Sequence, residues 1–218
     1  MTDKKKIILI VILFGSLWGM LEAFGISIMR GTGFHFRSSI LAFLGVIILM
    51  AARIVLPRAG STSVAGLIAA GFKFLSLATI LPCQIAAVIG QAVVFDIAFT
   101  IAERKNVFSR KLAPGLIAIS ACFASYLLFA FSQAYLFGNP YWFERGIEGL
   151  LKWVITDGSV AAVLSFAGIY AGIMIGRSSL KLLDNWYTIR RPLFYISLIT
   201  VSMTCWILAA LLTSMGAV

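Results

Sequence analysis

The sequence predicts an all-α, polytopic membrane bundle of about seven transmembrane helices, from the length of its apolar stretches and from its composition. Seven apolar stretches of 18 to 23 residues alternate with short polar segments, and a helix needs roughly 20 residues to cross a hydrocarbon core of about 30 Å. Backbone amides in lipid must be satisfied within their own segment, so each stretch is expected to be helical. The chain is 61% hydrophobic and 12% charged, which leaves too little polar surface to coat a water-soluble domain.

The predicted spans make a single transmembrane domain over residues 1–218, with a core at 6–177 and an additional C-terminal helix at 193–212. The first span carries Glu22 and no Ala-x-Ala site follows it, so we expect a membrane helix rather than a cleaved signal peptide. In chain order the spans cover residues 7–29, 39–56, 64–81, 85–102, 116–137, 154–175 and 193–212.

Three segments depart from a plain spanning helix. Gly66, Gly71 and Lys73 interrupt the third span, so we expect it to pack inside the bundle or to lie oblique, with a hydroxyl among residues 61–63 as its cap. Residues 146–157 are amphipathic, and they either lie along the outer surface or line a cavity. Residues 177–191 are expected to form the longest inner loop.

The basic residues predict the orientation in the cell membrane. With the N-terminus inside, thirteen Lys and Arg residues lie in or beside inner segments, and the outer loops hold only Arg30, Arg37 and Arg145. Such a bias in short loops places the N-terminus in the cytoplasm, and seven spans then place the C-terminus outside. Orientation therefore explains the net charge of +10 better than nucleic-acid binding does.

Small residues recur at intervals of four along one face of the first span, at Gly15, Gly19 and Ala23. Such a stripe lets another helix approach closely, and in lipid this packing is a main source of helix association. The stripe is therefore interpreted either as internal packing within the bundle or as a docking face for a partner membrane subunit.

Glu22, Lys73 and Asp96 are charged residues within predicted spans, where a charge near mid-bilayer costs about 2.5–3.5 kcal/mol. Glu22 and Lys73 are each about two turns from the outer end of their span, so they are expected at similar depth. They either bind a solute, such as a zwitterion, or form a buried ion pair that fixes the helix register. Asp96 belongs to the inner half of the fourth span and is expected to pair with an arginine such as Arg53.

Polar and aromatic residues at the same outer depth predict a small-molecule site, because such sites combine aromatic walls with a few placed polar groups. Gln84 and Gln91 are spaced i and i+7 and share one helix face. His35 and Phe36 lie in the first outer loop. The full set of candidate substrate-binding residues is Glu22, Lys73, Gln84, Gln91, Tyr135, Trp142, Glu148 and Lys152.

No catalytic, metal or cofactor site is predicted, and the chain is not expected to be an enzyme. Cys83, Cys122 and Cys205 lack paired spacing and are interpreted as small apolar residues. The sequence contains no phosphate-binding loop, no HExxH and no GxSxG motif.

The Gly15, Gly19 and Ala23 stripe and the segment at 57–80 (PRAGSTSVAGLIAAGFKFLSLATI) resemble a known family. Over the first six spans the chain is similar to the substrate-binding S-component of energy-coupling factor (ECF) transporters, the vitamin-uptake branch of the ABC systems. The resemblance implies solute capture near the outer face, a coupling membrane subunit that docks on the stripe, and partner ATPases. The seventh span departs from the pattern of that family.

Two functions therefore follow from the sequence. In the first, the chain captures a vitamin, a precursor or a similar small solute for an ATP-driven importer. In the second, it is an accessory or assembly subunit of a larger membrane complex, and its intramembrane charges serve assembly.

Overall fold

The computed structural model describes residues 4–29, 35–75 and 82–215, and the regular secondary-structure elements in these ranges are all helices. Short 3-10 turns follow the third and fourth helices, and a π-helical turn at Ser132–Leu136 extends the fifth. The α-helices are α1 Lys4–Met29, α2 Arg37–Val55, α3 Ser61–Gly71, α4 Pro82–Arg104, α5 Ala113–Phe131, α6 Pro140–Phe143, α7 Gly146–Ile189 and α8 Arg191–Met215.

Six of the described helices, α1, α2, α4, α5, α7 and α8, are long and apolar enough to cross a membrane. This confirms the prediction of an all-helical chain with several spans of membrane length. The third predicted span, 64–81, coincides with α3 and the 3-10 turn Phe72–Leu75 as far as Leu75, and its last residues lie outside the described part of the chain. The count of seven spans therefore remains a prediction.

Helix α3 runs between α1 and α4, from one end of the bundle toward the other. Its buried face, which includes Ala65, Gly66 and Ala69, packs against these two helices, while Val64 and Leu67 on its other face are exposed. The predicted interior packing of the third span thus holds for one face of α3.

The cap of α3 differs from the prediction of a hydroxyl at residues 61–63. Gly60 is the N-cap residue, with a φ of 89° that favours glycine. The acceptor comes from α4, because Asp96 accepts hydrogen bonds from the backbone N–H of Gly60 and from the hydroxyls of Thr62 and Ser63. A carboxylate at this position also interacts favourably with the positive end of the helix dipole.

The α1 stripe packs within the chain. A Cβ atom added to Gly15 would lie 2.7 Å from Cβ of Ile68 on α3, and one added to Gly19 would overlap the ring of Phe72. Ala23 is buried in the same region. The chain's own residues therefore cover this face, as the internal-packing interpretation expects.

Because Gly19 has no room for a side chain, Gly19→Ala should lower the free energy of unfolding by about 1–3 kcal/mol, the usual cost of overpacking. Gly90→Ala is the matched control, since a Cβ there meets Leu128 at an ordinary 3.8 Å and alanine favours the helix. Melting curves in detergent measure both effects. Equal melting temperatures for the two variants would contradict the close packing of α1 on the 3-10 turn.

Helix α8 packs along α1 in the same direction. Phe194 clusters with Ile10 near the start of both helices, and further along Trp206 Nε1 donates a hydrogen bond of 3.1 Å to Ser16 Oγ. Ala209 then clusters with Ala23 near the other end. The start of α8 therefore lies at the same end of the bundle as the start of α1.

The prediction of an inner loop at 177–191 is wrong, because these residues continue α7 as far as Ile189. Helix α7 has 44 residues, a length of about 66 Å at 1.5 Å per residue. Arg190 alone separates it from α8. A stripe of Gly168, Gly172 and Gly176 brings α7 against α2, where a Cβ on Gly172 would lie 2.7 Å from the Ile47 carbonyl oxygen.

Candidate functional site

A cavity of about 420 Å³ opens at the end of the bundle where α1 ends and α2 and α4 begin. Its walls come from α1, α2, α4, α5, α7 and the 3-10 turn after α3. The volume is within the range of small-molecule sites, about 300–1,000 Å³. The lining includes a polar wall on α1, α4 and the 3-10 turn and an aromatic wall on α5 and α7.

The polar wall contains four of the predicted residues, Glu22, Lys73, Gln84 and Gln91. Lys73 Nζ lies 3.0 Å from Glu22 Oε2, and both side chains are only 8% exposed. The expected similarity of depth is therefore confirmed, and the two residues form an ion pair that also lines the cavity. Gln91 Nε2 donates to the carbonyl oxygen of Ala42 at 2.8 Å, which fixes this amide against α2.

The aromatic wall is built from α5 and α7. Tyr126 and Trp153 stack with ring centroids 5.0 Å apart and planes 22° from parallel, and Phe129 completes the surface. Trp142 of α6 meets Trp153 edge-on at 4.8 Å. Trp142 therefore packs against Trp153 and is not itself among the cavity-lining residues.

The remaining predicted residues are not brought to the cavity. Tyr135 lies on the π-helical turn and is 53% exposed. Glu148 and Lys152 are exposed on α7. They come five residues and one residue before Trp153, which turns them about 140° and 100° around the helix from the cavity-lining ring. His35 and Phe36 are exposed in the turn before α2.

Several cavity residues were not predicted as site residues, among them Arg37 and Ser38 at the start of α2 and Ser125 and Tyr126 on α5. Arg37 was visible in the sequence only as an outer-loop charge. Trp153 lies in the amphipathic segment at 146–157, and its position favours the cavity-lining interpretation of that segment.

A second polar cluster, buried between α2, α3 and α4, lies at the opposite end of the bundle. Arg53 is 1% exposed and uses all five of its N–H donors, and its Nη1 lies 3.1 Å from Asp96 Oδ1. The predicted pairing of these two residues is confirmed. The groups that accept hydrogen bonds from Arg53 are the carboxylates of Asp96 and Glu103, the Thr100 hydroxyl and the Arg58 carbonyl oxygen.

The two polar clusters differ in whether their charged groups can contact a bound molecule. The Arg53 cluster satisfies all five guanidinium donors within the chain, so it has the character of a structural junction. The Glu22–Lys73 pair borders an open space, so a molecule in that space can compete for either charge. The cavity is therefore the candidate functional site.

No family model, curated protein or solved structure matches the chain.

Proposed function

We propose that this chain captures a small solute in the cavity and passes it to partner energy-coupling subunits for uptake across the cell membrane. The observation that carries the proposal is the combination of a buried ion pair that lines the cavity with a stacked aromatic wall in the same cavity of about 420 Å³. A purely structural ion pair needs neither an adjoining cavity nor aromatic residues in the lining of that cavity.

The chemistry of the walls fits a solute that carries both charge and a flat apolar part. Such a solute can exchange the Glu22–Lys73 contact for its own contacts to the same two groups, and a ring can lie against Trp153. The amide of Gln84 adds hydrogen-bonding capacity on the same wall. A vitamin, a vitamin precursor or a similar solute matches these requirements.

The partner subunits follow from the resemblance to S-components, which take their energy from a coupling membrane subunit and ATPases. The alternative of an accessory assembly subunit draws on the intramembrane charges. This alternative is weakened by Arg53, whose buried guanidinium is fully paired within the chain. ATPases among the co-purified proteins support uptake, and subunits of another membrane complex support the alternative.

Solute capture is tested by native mass spectrometry of the gently extracted protein, combined with labelling of Cys83. Cys83 lines the cavity, whereas Cys122 and Cys205 are buried, so a bound solute should slow the reaction of Cys83 with a maleimide. Cys83→Ser provides the background. A chain that carries no small molecule, and whose Cys83 labelling is unaffected by any candidate solute, would count against the proposal.

The proposed function requires a defined topology of seven spans, with the N-terminus and the α4–α5 connection in the cytoplasm and the cavity facing outward. Reporter fusions after Lys111 and after Val218 should then report cytoplasmic and external locations. The parallel course of α1 and α8 supports this arrangement. A cytoplasmic signal at Val218 would mean that one predicted span does not cross.

A further inference from the structure

The last part of α7, residues 177–189, extends past its partner helix, and we call it the α7 tail. Gly176 still packs against Ala51 and Ile54 of α2, which ends at Val55. The 13 residues after Gly176 add about 20 Å of helix. The α7 tail therefore lies at the end of the bundle opposite the cavity, beside the start of α1.

The α7 tail is held in place along one side. Lys6 Nζ of α1 lies 2.8 Å from Asp184 Oδ1 and 4.4 Å from the ring centroid of Tyr187. Leu180 and Leu183 pack against the apolar cluster formed by α1, α2 and α8. The tail is thus a fixed helical surface, and its one acidic residue, Asp184, is already paired.

The opposite side of the α7 tail combines exposed apolar and basic groups. Leu182 and Trp186, one turn apart, are 59% and 49% exposed. Arg177 and Lys181, also one turn apart, are exposed on another flank of the tail, about 140° around the helix from that apolar pair. Arg190 and Arg191, at the corner between α7 and α8, are exposed as well.

We propose that the outward side of the α7 tail binds the phosphate headgroups of anionic lipids in the adjoining leaflet. Tryptophan is favoured at the membrane interface, and an apolar flank with Trp and Leu combined with a basic flank is the pattern of helices that bind this zone. Each Lys or Arg near an anionic surface contributes about 1 kcal/mol. Binding would fix the position of α7, which carries Trp153 of the cavity wall at its other end.

A lipid fits this surface better than an acidic soluble protein does. The tail continues a membrane-length apolar helix without a break, so its first turns emerge directly from the hydrocarbon core. Along the helix axis Leu182 and Trp186 follow Lys181 and precede Arg190, so the apolar flank and the basic residues are at similar depth. The basic side chains are therefore placed at headgroup depth.

The test measures lipids retained by the purified full-length protein in micelles that contain phosphatidylglycerol and phosphatidylcholine, by native mass spectrometry. We expect preferential retention of phosphatidylglycerol that weakens as ionic strength rises. Arg177→Gln/Lys181→Gln should reduce its apparent binding constant by about thirtyfold, the equivalent of two basic contacts. Trp186→Ala should reduce it further without changing the salt dependence.

Arg110→Gln/Lys111→Gln is the matched control, because it removes two exposed basic residues from the α4–α5 connection at the same end of the bundle. It should leave retention nearly unchanged. Equal losses in both double variants would mean that overall charge attracts the lipid, and that outcome overturns the proposal. Two others also overturn it: no preference for phosphatidylglycerol in the unmodified protein, and tighter binding of a soluble poly-glutamate peptide than of the lipid. None of these outcomes bears on solute binding in the cavity.

Discussion

Asp96→Ala should lower the free energy of unfolding by about 1–3 kcal/mol, because Arg53 keeps its contacts to Glu103 but the buried Nη1 N–H that donates to Asp96 loses its acceptor. The same substitution removes the acceptor for the backbone N–H of Gly60 and for the hydroxyls of Thr62 and Ser63. The start of α3 thereby loses its cap, which typically adds about 1 kcal/mol to the cost. Unfolding curves in detergent measure the loss.

Asp184→Ala is the control, since Asp184 also pairs with one cation but its side chain is 58% exposed, compared with 10% for Asp96. Exposed ion pairs contribute at most about 1 kcal/mol, so this variant should melt close to the unmodified protein. If both variants lost the same small amount of stability, the Arg53 cluster would not be the buried junction that its geometry indicates.

The helical membrane fold was predictable because the length of an apolar stretch is fixed by the thickness of the bilayer. The helical conformation of the α7 tail was not predicted, because a stretch with Arg177, Lys181 and Asp184 is typical of a solvated loop. A helix can carry the same charges outside the bilayer, and here the Lys6–Asp184 pair and the packing of Leu183 hold it. The cap from Asp96 was missed for a related reason, since it joins residues more than thirty positions apart.

The polar wall of the cavity was predictable and the aromatic wall was not. Charges within spans are costly, so Glu22 and Lys73 stand out, and counting turns placed them at one depth. Tyr126 and Trp153 are apolar enough to face lipid, and nothing in their spacing distinguishes a cavity wall from a lipid-facing surface. The α7 stripe at Gly168, Gly172 and Gly176 shows the same spacing as the α1 stripe. Close packing of another helix on α7 could therefore have been predicted from the sequence as well.

The Glu22–Lys73 pair should serve both stability and solute binding, and the two roles separate in a double-mutant cycle. Glu22→Gln leaves Lys73 charged in a buried site, and Lys73→Met leaves Glu22 charged, so each single change should cost about 3 kcal/mol or more. The double variant removes both charges and should recover much of that loss. Solute binding should be lost in all three variants, because the groups that would hold the solute are absent.

Melting curves and binding titrations of the same preparations separate the two roles, and Glu148→Gln serves as the control. It makes the same chemical change as Glu22→Gln at an exposed position that does not line the cavity, so neither stability nor binding should change. Recovery of binding in the double variant would show that the pair only fixes the helix register. Single variants that keep full stability but lose binding would show the reverse, that the two charges act on the solute and contribute little to each other. The expected pattern, recovered stability without recovered binding, arises only when one pair of charges both stabilises the bundle and holds the solute.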